Sequence, residues 1–112
     1  MSTLMKQLLW IFPMLILAAA LEAGGDAGMR SGLRGKPIGF LFGAISLVAY
    51  GLAVNVPKWD FGRLLGVYIA LFFIVSQIFA AVAFKERLTA PILVGGALIV
   101  AGGAVLTFWQ PR

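Results

Sequence analysis

A chain of 112 residues in which 62% of the side chains are hydrophobic and 12% charged, with a mean hydropathy of +1.02, is too small and too apolar to hide that surface inside a water-soluble fold. The bilayer must be its solvent. The net charge of +5 does not point to nucleic acid, because the cations stand at the edges of apolar runs, where they anchor helix ends among headgroups, and form no stripe. With neither cysteine nor histidine, disulfides, thiol chemistry and zinc or haem ligation lose their ligands. No cofactor is expected, and without a nucleophile–base pair no enzyme class is favoured.

Four apolar segments follow in order, predicted as helices over about 7–30, 37–56, 64–84 and 88–109. Each matches the roughly 20 helical residues that cross a hydrocarbon core of about 30 Å. A spanning segment must satisfy its own backbone hydrogen bonds, and barrel strands would alternate and be half as long, so the expected fold is all-α with four transmembrane helices in a single domain. The connections, 30–36, 57–63 and 85–87, are short enough to make neighbours antiparallel. Pro37 and Pro91 suit first helical turns and Pro57 a stop, whereas Pro13 falls inside the first segment and is expected to loosen or kink it.

With four crossings, the N-terminus, second loop and C-terminus share one side, carrying Lys6, Lys58, Arg63 and Arg112. The other side carries Arg30, Arg34, Lys36, Lys85 and Arg87. Orientation normally follows an excess of Lys and Arg. Here the near tie predicts insertion both ways round. Trp10, Trp59 and Trp109 fall on one side near helix ends, as an aromatic belt. Lys6 followed by an apolar run and small residues also resembles a cleavable secretory signal, but the three remaining spans already make a polytopic membrane protein.

Glu22 and Asp26 are the acids within the first segment, four residues apart and so on one helix face, with Arg30 four further on. An ionisable group in hydrocarbon costs about 2.5 to 3.5 kcal/mol on insertion scales, so such groups usually face cavities and carry protons or ions. At 1.5 Å per residue, Asp26 lies about 6 Å and Arg30 about 12 Å nearer the membrane edge than Glu22. Glu22 is therefore the expected centre, a carboxyl for which a proton and a cation can compete. Asp26 serves equally well as an ordinary helix-end partner of Arg30. Ser46 and Tyr50 in the second segment and Gln77 in the third are cavity-lining candidates. Tyr68, near the start of the third, can give a cation an aromatic wall or sit at the interface. Ser76 and Gln77 also suit interhelical hydrogen bonding.

Glycine supplies the second pattern. Gly24 and Gly28, and Gly39 and Gly43, each form a GxxxG, a spacing that lets helices approach closely. Gly95-Gly96 and Gly102-Gly103 lie two turns apart on the fourth segment, which is free of polar side chains over 92–106. That strip, with Leu98 and Ile99, is the predicted homodimer interface, formed by Gly95, Leu98, Ile99, Gly102 and Gly103.

Glu22-Ala23-Gly24-Gly25 after an alanine-rich run, Ala49-Tyr50-Gly51, Phe61-Gly62-Arg63 followed by Tyr68, then Gly95, Leu98, Ala101-Gly102 and a terminal Pro111-Arg112 occur in an order and spacing that resembles the YnfA family over essentially the whole chain. Arg87-Leu88, Pro91 and the run Gly95, Leu98-Ile99, Gly102 also resemble the related small multidrug resistance transporters. The resemblance implies a multi-pass bacterial inner-membrane protein working as an antiparallel homodimer. A glutamate matching Glu22 binds protons and small cationic solutes alternately, an aromatic matching Tyr68 lines the site, and the fourth helices pair. Leu65, Ile69-Ala70 and Phe72-Phe73 depart from the transporters' third helix, and Asp26 is an added acid. The expected function is proton-coupled export of small cationic compounds. A non-transporting membrane subunit with Glu22 as a buried structural acid is the alternative; a lipid-linked sugar carrier fits less well because it wants no acids in its cavity.

Overall fold

The computed structural model describes residues 2–109; Arg112 of the charge tie and the terminal Pro111-Arg112 of the family pattern lie outside the described residues. The protein is all-helical: α1 (Thr3–Leu33), α2 (Ile38–Val54), α3 (Phe61–Ala83) and α4 (Ala90–Phe108), with no strand among the described residues. Helices α1, α3 and α4 are long and apolar enough to cross a membrane. The 17 residues of α2 rise about 26 Å, a little short of the hydrocarbon core. The chain divides into two compact units, one ending at Lys58 and holding α1 and α2, the other beginning at Trp59 and holding α3 and α4.

In the first unit, α1 starts earlier than the apolar run suggests because Ser2 caps it, its hydroxyl accepting from the Met5 N–H at 3.1 Å. The helix continues through Pro13. It also runs past Arg30, and its end is fixed by backbone geometry. Gly35 takes φ +103°, Lys36 N–H donates to Ser31 O at 3.0 Å, and Gly35 N–H donates to Gly32 O at 3.3 Å. This is the Schellman arrangement, which uses the last carbonyls of a helix and wants glycine at the left-handed position. Arg30, in the last turn, and Arg34 and Lys36 just beyond it put positive charge at the negative end of the helix dipole. α2 stops before Val56 because the Asn55 side chain turns back and donates Nδ2–H to Gly51 O at 2.8 Å.

Glycines bring α1 and α2 together. A Cβ on Gly28 would stand 2.9 Å from Gly39 O, and one on Gly43 would stand 2.8 Å from Gly25 O. One on Gly39 would run into Gly28 O, and Gly32 faces the Phe40 ring. Backbone thus lies on backbone, a closeness that gains dispersion and Cα–H···O contacts where no hydrophobic force drives helices together. Gly39 and Gly43 are used as their spacing predicts. On α1 the seam runs through Gly25, Gly28 and Gly32, shifted round the helix from the Gly24 and Gly28 pair that spacing alone selects. Below it, Ile11, Leu15, Ala18 and Ala19 are fully buried.

The second unit is also an antiparallel hairpin. Gly103 meets Ala70, Gly66 meets Leu106, and Gly96 meets the Phe73 ring. α3 begins at Phe61, a turn earlier than the charge of Arg63 suggests, because that charge has partners. Arg63 donates from Nε to Leu106 O and from Nη2 to Thr107 O, both at 3.0 Å, and its guanidinium lies 4.2 Å from the centre of the Trp59 ring. A cation therefore rests on the negative end of α4 while stacked on an indole. Thr107 is buried and donates back to Gly103 O at 2.8 Å. Pro91 occupies the first turn of α4, as predicted.

Candidate functional site

Register places the acids. The Ser46 hydroxyl donates to Leu21 O at 2.6 Å, so the residue next to Glu22 is pinned against Ser46, the middle residue of Ile38–Val54. A helix close to the bilayer's thickness has its middle near the bilayer's middle. Glu22 is therefore level with the middle of α2, half-buried, on a helix that carries no other acid but Asp26. Asp26 is exposed one turn nearer the α1–α2 connection.

Tyr50 lies one turn beyond Ser46 on α2, half-buried, on the side away from the α1–α2 connection. The hairpin thus sets Glu22 level with Ser46, with Asp26 one turn to one side and Tyr50 one turn to the other, and the glycine seam holds the two backbones in register. Chemically this is a half-buried carboxylate, a second carboxylate one turn nearer the α1–α2 connection, and a phenol one turn from Ser46 in the other direction. The hydroxyl of Ser46 is spent on backbone, so it positions the site and offers its lone pairs, not its proton.

The remaining sequence candidates lie in the second unit. Tyr68 is 4% exposed and stacks on Phe72 with ring centres 5.9 Å apart, so it sits in packed surroundings. Gln77 lines a groove between α3 and α4. Ser76 donates to Phe73 O at 2.8 Å within its own helix. The proposed dimer strip separates into two faces: Gly103, with Gly96, packs inside the hairpin, whereas added Cβ atoms at Gly95 and Gly102 would meet nothing within 4 Å. Leu98, 71% exposed, and Ile99 lie on the uncovered surface of α4. Arg63 is the residue whose role the sequence hides. Its signal is Trp59, four residues earlier and just ahead of α3.

No family model matches the chain, and no solved structure matches it. A UPF0060 membrane protein of Herpetosiphon aurantiacus is 33% identical over 101 residues, covering 87% of this chain and 91% of that protein. An identity of this size over nearly the full length of both chains, with the four helices in place, shows the relationship: this chain belongs to the UPF0060 family of membrane proteins, which is the YnfA family.

Proposed function

We propose that the protein is a proton-coupled exporter of small cationic compounds in the bacterial inner membrane, similar to the small multidrug resistance transporters and working as a homodimer. The observation that supports this reading is the height of Glu22, level with the middle of α2. An acid held there at an insertion cost of about 2.5 to 3.5 kcal/mol has a purpose that an apolar side chain would not serve. Proton and cation exchange at Glu22, and the identity of the occupant biases the protein between inward-open and outward-open states, as coupling requires. Asp26, exposed toward one face, connects the deep carboxyl with the aqueous side.

Proteoliposomes loaded with a pH gradient and offered tetraphenylphosphonium test the mechanism. Gradient-driven uptake is expected in the native protein, is retained in part by Glu22→Asp and is abolished by Glu22→Gln. Uptake that persists at the native rate in Glu22→Gln removes Glu22 from the mechanism.

A further inference from the structure

A groove of about 520 Å³ runs between α3 and α4, lined by apolar side chains that include Phe73, Ile74, Ile78, Leu88 and Ile92, with Gln77 as the polar member of the lining. Ala81 on α3 and Ala97 on α4 leave space that larger side chains would fill, while Gly96 takes the Phe73 ring against the helix. From Phe73 to Ala81 it extends about 12 Å along α3, close to the depth of a single leaflet, half of a core of about 30 Å. One end of it reaches the α3–α4 connection, where Ala81 in the last turn of α3 and Leu88 in the connection itself belong to its lining.

The loop is cationic. Lys85, in the left-handed conformation with φ 55°, and Arg87 are both exposed, and Glu86 between them offsets one of the two charges. The Glu86 N–H turns back to Ala80 O at 3.0 Å, which holds the loop tight against the end of α3. An apolar slot one leaflet deep with net positive charge at its headgroup end fits an amphiphile with an anionic head. It disfavours a cationic solute, which would meet Lys85 and Arg87 on entering.

We propose that this groove holds one acyl chain of an anionic phospholipid whose phosphate rests at Lys85 and Arg87. The site lies within the second unit and makes no use of Glu22, so it stands or falls independently of the transport reading. Native mass spectrometry of the full chain released from vesicles of equal phosphatidylglycerol and phosphatidylcholine tests it. The native protein is expected to retain phosphatidylglycerol in preference, and Lys85→Gln with Arg87→Gln to lower that retention about fivefold per cation removed. Ala97→Phe, which fills the slot and leaves both charges, is expected to lose the bound lipid. Ala97→Leu gives the same reading with a smaller insertion if the phenylalanine is not accommodated. Equal retention of the two lipids overturns the proposal, as does phosphatidylglycerol binding that survives either the charge or the filling variants. Because the chain has no cysteine, Ala97→Cys adds a clean control: efficient intermolecular disulfide formation shows a second copy in the groove and overturns it as well.

Discussion

The hydroxyl of Ser46 ties α2 to α1 through one hydrogen bond of 2.6 Å to Leu21 O, beside the acid on which the proposed chemistry depends. Interhelical hydrogen bonds in membranes average about 0.6 kcal/mol. Ser46→Ala should therefore cost about that much in a denaturant titration in micelles, yet shift proton-coupled uptake more than stability, because it loosens the register of Glu22. Gly35 makes a sharper prediction. Its φ of +103° puts any Cβ under strain, so Gly35→Ala should lower stability by about 1 kcal/mol without affecting Glu22. At this scale Glu22 and Asp26 stand out in the sequence because an acid in an apolar run is costly, although a helix-end pair with Arg30 would also account for Asp26. The partner of Ser46 is not legible, since a hydroxyl bonded to a main-chain carbonyl leaves no complementary side chain to find.

Each hairpin has its own fastening. In the first, glycine backbone meets glycine backbone, and a methyl group at Gly39 would collide with Gly28 O. Gly39→Ala must part the helices, at about 1 to 3 kcal/mol by the usual cost of overpacking. Gly51→Ala, where nothing lies within 4 Å, should be neutral or stabilise α2 by up to about 1 kcal/mol through helix propensity. Thermal unfolding of the two variants side by side checks the contrast. In the second hairpin Arg63→Met keeps the apolar stem and removes both bonds to the end of α4. Loss of about 1 kcal/mol is expected, with faster hydrogen exchange of the last α4 amides as the local readout. The four helices were legible because their apolar runs are long, whereas their ends were displaced by capping. Ser2, Asn55 and the Gly35 turn move boundaries by a few residues through contacts that hydropathy does not register, and Arg63 belongs to a helix that charge alone would start after it.

For the molecule as a whole, the near equality of cations on the two sides predicts dual insertion. Reporter fusions after Lys58 and after Lys85 should both give signal on both sides of the membrane; a fusion active on one side only shows a single orientation. Dual insertion is what an antiparallel pair of identical chains needs, and native mass spectrometry in detergent is expected to give twice the mass of the chain. The uncovered strip of Gly95, Leu98 and Gly102 is where such a pair would meet, so Gly102→Ile should reduce the dimer fraction while the hairpin seam at Gly103 stays intact.

The helices that flank the deep acid are unequal: 31 residues in α1 and 17 in α2, about 46 Å against about 26 Å. A membrane accommodates such a pair by tilting the long member and pinching toward the short one, at a fraction of a kcal/mol for each ångström of mismatch. Lipid chain length then becomes a control on the protein. Shorter acyl chains should raise its melting temperature and longer ones lower it, and on the transport reading a thinned annulus around α2 would shorten the path of an ion to Glu22.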